Sequence, residues 1–303
     1  MKSWARRRRE IEVSRCWHGR TGGRSRWRKR PYDVLLAVLD KAIRATPLFA
    51  RGYRNALDLR RVEFDLVPAG LPPSFDGYRI LHVSDPHLDY LPDLVGVLRK
   101  LVEGLDVDML AVTGDIRGDR RQPAEHPTAL LVEALAGVKV RGPRLAVLGN
   151  HDPVEMVDAL EAVGIDVLVN RSLVLQRGVD RLRVTGLDDV HSFYTEAAQA
   201  ALADHDGEFR IALVHSAEVA DDADRAGYAL YLCGHTHGGQ ICLPGGRPII
   251  THLTRCRHAA SGLWRQGRMV GYTSRGVGVS ELPLRCNTRG EVAVITLRRA
   301  ERL

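Results

Sequence analysis

Apolar and polar positions alternate with two periodicities along most of the chain, that of a strand and that of a helix. Residues 61–66 alternate at every second position, as a half-buried strand does, and later apolar runs are short and bounded by polar loops. These runs predict strands at Tyr78–Val83, Met109–Thr113, Leu145–Leu148, Leu182–Thr185, Arg210–Val214, Ala229–Cys233, Met269–Ser274 and Glu291–Leu297.

Apolar residues at a helical spacing fill most of the segments between these strands. They predict helices at Leu91–Leu105, Pro127–Gly137, Pro153–Val163, Tyr194–Asp204 and Ala217–Ala226. Repeated units of strand, polar loop and amphipathic helix are typical of an α/β fold.

The front of the chain has a different character. Residues 1–30 contain twelve Lys/Arg and two Glu, a local net charge of +10, and charge repulsion of this size predicts disorder. Helical spacing follows at Asp33–Thr46 and at Phe49–Leu59. We therefore divide the chain into a basic tail with an amphipathic helical segment, residues 1–61, and a folded domain, residues 62–303.

Charge, cysteines and hydropathy narrow the choice of partners and of compartment. The whole chain carries +7, so the residues after position 30 net about −3, and this body does not have a nucleic-acid-binding composition. A basic tail before an apolar-faced helix favours attachment to an anionic membrane surface, although a solvated tail with a helix packed on the domain remains open. Five scattered cysteines indicate a reducing compartment, and no apolar run is long enough to span a bilayer. We expect a cytoplasmic protein, peripheral on the inner face of the cytoplasmic membrane.

Residues able to bind metal follow five of the predicted strands. They are Asp85 and His87, Asp115, Asn150, His215, and His235 with His237. Because the carboxyl ends of strands in an α/β sheet form a shared rim, these side chains can converge on one site. A donor set of Asp, Asn and His without Cys suits Mn²⁺, Fe²⁺ or Zn²⁺. Seven ligands are too many for one ion and sufficient for two.

Glycines accompany these residues. Gly114, Gly149 and Gly234 directly precede candidate ligands, where the chain must turn sharply. Gly238 and Gly239 are expected to let the backbone approach a metal-bound phosphate closely.

The five groups in this order resemble the calcineurin-like metallophosphoesterase superfamily, whose pattern is D-x-H, G-D, G-N-H-D, H and G-H-x-H. The resemblance covers about residues 78–298. The stretch GHTHGGQICLP at 234–244, with SRGVG at 274–278 and LPLR at 282–285, is similar to a bacterial branch of membrane-associated phosphoesterases. That branch includes lipid-A pathway enzymes that hydrolyse UDP-2,3-diacylglucosamine. The resemblance implies a four-layer α/β/β/α sandwich, here with a basic N-terminal extension.

The resemblance also implies a role for each site residue. The first metal would be held by Asp85, His87 and His237, and the second by Asn150, His215 and His235, with Asp115 bridging both. His151 matches the histidine that protonates the leaving group or stabilises the transition state, and Asp152 stands beside it as an orienter. Charged Arg117 and Asp119, and the absence of prolines at 287–291, depart from the branch and put substrate choice in doubt.

We interpret the protein as a metal-dependent hydrolase of phosphoric esters or anhydrides that uses a metal-activated water. The preferred substrate is a phosphodiester or pyrophosphate of a lipid-linked or nucleotide-lipid molecule such as UDP-2,3-diacylglucosamine. The alternatives are a broad-specificity phosphodiesterase and, from another class, a metal-binding scaffold without catalysis; nucleic acid is the weakest candidate partner. Arg275 and Arg285 could bind phosphate, though such arginines more often form surface ion pairs. His252 and His258 are read as surface histidines that could line a pocket.

Overall fold

A computed structural model of the protein describes residues 2–14, 16–18, 24–26, 44, 46–204 and 207–300. The strands are β1 (Cys16–His18), β2 (Arg24–Arg26), β3 (Arg60–Leu66), β4 (Arg79–Val83), β5 (Asp106–Val107), β6 (Met109–Thr113), β7 (Lys139–Val140), β8 (Arg144–Val147), β9 (Asp166–Val167), β10 (Arg171–Arg177), β11 (Asp180–Gly186), β12 (Phe209–Leu213), β13 (Leu230–Cys233), β14 (Gly262–Gln266), β15 (Met269–Thr273) and β16 (Glu291–Leu297). The helices are α1 (Lys2–Ser14), α2 (Pro47–Leu57), α3 (Leu94–Val102), α4 (Glu125–Leu135), α5 (Met156–Glu161), α6 (Glu196–Ala203) and α7 (Ala220–Arg225). The predicted strands and helices after residue 60 are confirmed, with ends that differ by a few residues.

Two six-stranded sheets form the centre of the domain. The first has the order β3-β16-β4-β6-β8-β9, and the second has the order β10-β11-β12-β13-β15-β14. In the first sheet β4, β6, β8 and β9 are parallel, while β16 pairs antiparallel with β4. In the second sheet β11, β12, β13 and β15 are parallel. The parallel strands of each sheet therefore bring their carboxyl ends to one edge of that sheet.

Three apolar clusters define four layers. The middle cluster joins the facing sides of the two sheets, for example Ile80 and Met109 with Ile211 and Leu230. A second cluster packs α3, α4 and α5 on the outer face of the first sheet. A third packs α6 and α7 on the outer face of the second sheet. This arrangement confirms the α/β/β/α sandwich.

The expectation of disorder at the front end is wrong for residues 2–14, which form helix α1. Charge repulsion along this helix is offset by ion pairs four residues apart, Arg6 with Glu10 and Arg8 with Glu12. Ile11 on this helix is buried. The helix predicted at Asp33–Thr46 falls almost entirely outside the described residues, whereas the one predicted at Phe49–Leu59 is confirmed as α2.

Strand β3 begins at Arg60 and pairs along its whole length with β16. The division of the chain near residue 61 stays a prediction. In the part of the chain that the structure describes, no helix combines the length and the apolar character needed to cross a bilayer. Cys233, Cys242, Cys256 and Cys286 are free thiols.

Candidate metal centre

The candidate ligands lie where strands of both sheets end. Asp85 and His87 follow β4, Asp115 follows β6 and Asn150 follows β8, all in the first sheet. His215 follows β12, and His235 with His237 follows β13, in the second sheet. The carboxyl edges of the two sheets therefore meet over a single centre.

Six of the side chains form two buried groups. One group is Asp85, His87 and His237, and the other is Asp115, His215 and His235. Within each group the ligand atoms lie within 4.8 Å of one another.

Asp115 stands between the two groups. Its Oδ2 lies 3.4 Å from His215 Nε2 and 3.6 Å from His87 Nε2, so one carboxylate oxygen faces both groups. Burial raises the pKa of Asp115, but His215 and the other surrounding histidines outweigh this and hold the pKa well below its usual value. An ionised carboxylate in this place suits a ligand shared by two cations.

Asn150 completes the second group. His215 Nδ1 lies 2.8 Å from the carbonyl of Thr113, which orients the ring so that Nε2 faces Asp115. That nitrogen lies 3.2 Å from Asn150 Oδ1 and 3.2 Å from His235 Nδ1. With the Asp115 carboxylate, these atoms gather acceptors around a small volume, which is the environment of a cation.

Unpaired ring nitrogens test whether a metal fits. His87 Nδ1 lies 3.0 Å from the Arg117 carbonyl, which orients the ring, while its Nε2 is buried without a hydrogen-bond partner. His235 Nε2 and His237 Nδ1 are also buried and unpaired. Buried polar atoms are normally satisfied, so the unpaired Nε2 of His87, which faces Asp115, fits a metal ligand. His235 and His237 face their groups through the other ring nitrogen, Nδ1 near His215 and Nε2 near Asp85.

The backbone at the centre is strained. Five of the seven candidate ligands have positive φ: Asp85 at 49°, His87 at 40°, Asp115 at 53°, His235 at 72° and His237 at 51°. Each such residue costs on the order of 1–3 kcal/mol, and such strain collects at functional sites.

The three glycines that directly precede candidate ligands are sterically fixed, and a Cβ on Gly114 would lie 2.5 Å from the backbone nitrogen of Gly149. A Cβ on Gly149 would lie 2.2 Å from Asp115 Oδ1, and one on Gly234 would lie 2.2 Å from Asp85 Oδ2. Gly238 and Gly239 were expected to let the backbone approach a phosphate, and the structure supplies a packing reason for both. A Cβ there would meet the side chains of Arg275 and Pro248, so close packing of the loop explains both glycines.

His151 borders a cavity of about 190 Å³ beside the first group. His87, Tyr90 and Arg120 also line this cavity. The rings of His151 and His87 are 5.1 Å apart. Burial lowers the pKa of His151 to about 3, so its imidazole is neutral and carries one N–H donor.

Asp152 does not act on the His151 ring in the way expected. Its carboxylate accepts hydrogen bonds from the backbone N–H of Gly149 at 2.9 Å and of Arg117 at 3.0 Å. It therefore fixes the turn of residues 149–152, which we call the catalytic turn, and acts on Asn150 and His151 through the backbone.

The two arginines considered for phosphate binding have other partners. Arg285 is fully buried and donates to the carbonyls of His237 at 3.0 Å, Arg275 at 2.7 Å and Gly278 at 2.6 Å. Arg275 is paired with Glu291 at 2.7 Å. Both arginines stabilise the loops that carry the ligands.

Several contributing residues escaped the sequence reasoning. Ser84 donates to Asp85 at 2.6 Å, and the Arg117 guanidinium donates to the His151 carbonyl at 3.0 and 2.9 Å. His191, whose ring is 4.5 Å from that of His235, also lies at the centre. His252 is exposed, with its ring 6.4 Å from that of His235, while His258 is exposed and contacts Trp264. Ser84 adjoins a motif, but no local signal marks His191.

The chain is similar to known phosphoesterases. The family model described as calcineurin-like phosphoesterase matches residues 78–239. The uncharacterized metallophosphoesterase YkuE of Bacillus subtilis (strain 168) is 31% identical over 260 residues, 82% of this chain and 89% of that protein. The uncharacterized metallophosphoesterase YkoQ of the same organism is 26% identical over 81% of this chain and 93% of that protein. Phosphodiesterase YaeI of Escherichia coli (strain K12) is 32% identical over 51% of this chain and 58% of that protein.

The family model covers the strand ends on which the centre is built. Two divalent metal ions are the cofactors of this family, and the two ligand groups accommodate them. The chain therefore belongs to the calcineurin-like phosphoesterase family and is a metal-dependent phosphoester hydrolase.

Proposed function

We propose that the protein hydrolyses phosphodiester or pyrophosphate bonds at this centre. The observation that carries the proposal is the buried carboxylate of Asp115, which faces His87 of one ligand group and His215 of the other. A carboxylate shared in this way holds two cations close together, the spacing needed to activate a water and the phosphoryl group at once.

Each residue has a proposed place. Asp85, His87 and His237 would hold one ion and Asn150, His215 and His235 the other, with the Asp115 carboxylate available to both. When bound, two such ions polarise phosphoryl oxygens and lower the pKa of a coordinated water. A set of imidazole nitrogens with carboxylate and amide oxygens favours Mn²⁺, Fe²⁺ or Zn²⁺.

Residues around the cavity are proposed to bind the phosphate of the substrate. His151 donates a hydrogen bond through its neutral imidazole to the phosphoryl or leaving oxygen, and loss of one such donor typically lowers the rate about 10²–10³-fold. Arg120, exposed at the cavity, adds positive charge beside the phosphate. Asp152 keeps Asn150 and His151 in place through the backbone.

We further propose that the substrate is amphipathic, as in lipid-linked or nucleotide-lipid phosphates such as UDP-2,3-diacylglucosamine. Support comes from the loop that continues from His237. Leu243, Ile249 and Ile250 on this loop are 49%, 57% and 53% exposed. Backbone bonds from Leu243 to Arg247 and from Ile249 to Ile241 hold them in a hairpin on the segment that follows His237, where they form an exposed apolar group. The exposed arginines of helix α1 are a second feature that suits a substrate presented at an anionic membrane.

The test compares a simple diester with its monoester. Metal-stripped protein is assayed on bis(p-nitrophenyl) phosphate and p-nitrophenyl phosphate with Mn²⁺, Fe²⁺ or Zn²⁺ added, beside Asp115→Ala. Asp65→Ala is the matched control, since Asp65 is exposed and pairs only with Arg298 among the described contacts. We expect metal-dependent hydrolysis of the diester that Asp115→Ala abolishes and Asp65→Ala retains.

A second assay addresses the amphipathic substrate. Ile249→Ser with Ile250→Ser is expected to raise KM for UDP-2,3-diacylglucosamine in mixed micelles without changing diester hydrolysis. Equal KM values in variant and wild type would exclude the hairpin from lipid recognition and favour a broad-specificity phosphodiesterase. Metal binding without hydrolysis of either substrate would favour the scaffold.

A further inference from the structure

Arg8 of the N-terminal helix is buried beside the catalytic turn. Although α1 is strongly basic, the side chain of Arg8 is only 1% exposed, whereas Arg6 and Arg7 on the same helix are 84% and 58% exposed. Burial of one arginine among exposed ones requires partners that compensate for its lost hydration.

Those partners include the ends of the catalytic turn. Arg8 Nη2 donates to the carbonyls of Gly149 at 2.9 Å and Asp152 at 2.6 Å. These are the first and last residues of the turn that presents Asn150 and His151. Arg117 donates to a third carbonyl of the same turn, that of His151. Two guanidinium groups therefore hold three carbonyls of one four-residue turn.

A buried acid anchors Arg8 from the other side. Arg8 Nη1 donates to Asp188, which is 1% exposed and follows the end of β11 in the second sheet. Trp4 Nε1 also donates to Asp188, at 2.6 Å. The guanidinium lies 3.9 Å from the centre of the Phe193 ring, a cation–π contact. Helix α1 thus links the second sheet to a turn that belongs to the first.

We propose that Arg8 is a positioning residue of the active centre, which holds Asn150 and His151 in place by joining the carbonyls of the catalytic turn to Asp188. For its effect on turnover the inference rests on the proposed function, because the turn is assigned its role there. Its effect on the turn itself is independent of any activity. Helix α1 thereby supports the active centre through Arg8, whereas its exposed arginines have no contact with the turn among the described pairs.

The direct test is hydrogen exchange of the catalytic turn in the full-length, metal-stripped protein. The amides of Gly149 and His151 donate to Asp152 and Asp115, so they report whether the turn is intact. In Arg8→Ala we expect exchange in a peptide spanning the turn to accelerate about tenfold or more, while Arg7→Ala matches wild type. Arg7 contacts only Glu10 among the described pairs and serves as the control.

The kinetic test separates positioning from simple loss of fold. With bis(p-nitrophenyl) phosphate and saturating Mn²⁺, Arg8→Ala should lower kcat about tenfold to a hundredfold and change KM little, since a displacement of about 1 Å has an effect of this size. Millimolar guanidinium chloride should restore part of kcat in Arg8→Ala and none in Asp115→Ala. Where Arg8→Ala does not fold, Asp188→Asn, which removes the charge and keeps the shape, takes its place in both measurements.

The outcomes are distinct. Wild-type exchange of the turn in a folded Arg8→Ala or Asp188→Asn protein overturns the positioning role. So does accelerated exchange that leaves kcat unchanged. Absence of hydrolysis by the wild-type protein contradicts the proposed function instead, and the exchange result then still decides the inference about Arg8.

Discussion

The backbone N–H of His235 donates to both carboxylate oxygens of Asp85, at 3.1 and 3.0 Å. Asp85 follows a strand of the first sheet and His235 follows a strand of the second. The bond therefore joins the two halves of the sandwich inside the metal centre. The packing of the two sheets and the geometry of the metal centre therefore depend on each other, so a change that disturbs one should disturb the other.

Ser84→Ala tests the support of Asp85. The Ser84 hydroxyl donates to Asp85 Oδ2 at 2.6 Å and lies outside both ligand groups. Loss of a hydrogen bond to a metal ligand typically weakens metal affinity or activity 10–100-fold, and we expect a change of about tenfold here because the His235 amide still orients the carboxylate. Metal titration by calorimetry measures it.

Ser172→Ala is the matched control for that variant. Its hydroxyl is hydrogen-bonded to Thr185 in the second sheet, away from the centre. Equal metal affinity in Ser84→Ala and Ser172→Ala would mean that Ser84 does not support Asp85.

Gly234→Ala tests the close approach of the two strand ends. An added Cβ would lie 1.9 Å from Ser84 Oγ and 2.2 Å from Asp85 Oδ2. Overpacking typically destabilises by about 1–3 kcal/mol, and here it must also displace a ligand. We expect a lower free energy of unfolding together with lost metal binding, measured by urea denaturation and calorimetry.

Gly96→Ala controls for the added methyl group. Gly96 lies inside α3, and a Cβ there meets nothing within 4 Å. The variant should keep activity and gain about 0.5–1 kcal/mol of stability because alanine favours the helix. A Gly234→Ala protein that behaved in the same way would contradict the steric argument.

The sequence predicted the ligands because each follows an apolar strand and stands within a short motif. It could not predict the burial of Arg8, since its partners other than Glu12 lie about 140 to 180 positions away and share no motif with it. Composition alone predicted disorder for residues 1–30, whereas the buried ion pair of Arg8 with Asp188 attaches helix α1 to the folded domain. The order of strands was also out of reach, since β16 inserts between β3 and β4 from the far end of the chain. Long-range pairings of this kind leave no local pattern.

Metal binding should stabilise the fold, because both ligand groups are buried and formed only when the sheets pack. An ion that binds only the native state at 100 times its Kd raises the free energy of unfolding by about 2.7 kcal/mol. We expect Mn²⁺ to raise the Tm of the stripped protein and to do so less in Asp115→Asn. Differential scanning calorimetry across a metal series measures this, with Asp65→Asn as control. A Tm independent of metal in the wild type would contradict the centre as described.

His82 should make stability depend on pH. It is buried in β4, with Nε2 2.8 Å from Thr113 Oγ1, and burial lowers its pKa to about 3 from an ordinary 6.5. The unfolded chain then binds the proton more readily than the native protein. The stabilising contribution is complete above pH 6.5 and is lost as pH falls toward 3, at up to about 1.4 kcal/mol per pH unit.

His82→Leu removes the imidazole that takes up a proton on unfolding, so the free energy of unfolding should fall less steeply below pH 6.5. The same variant leaves the Thr113 hydroxyl unpaired, which should lower the free energy of unfolding by a similar amount at every pH. Urea denaturation of the stripped variant and wild type between pH 4.5 and 7.5 isolates the contribution of His82, because the other buried histidines are common to both. His126→Gln, at an exposed position of α4, should leave the wild-type slope unchanged. Identical slopes in His82→Leu and wild type would show that His82 takes up its proton equally well in the native protein, which its burial without a charged partner argues against.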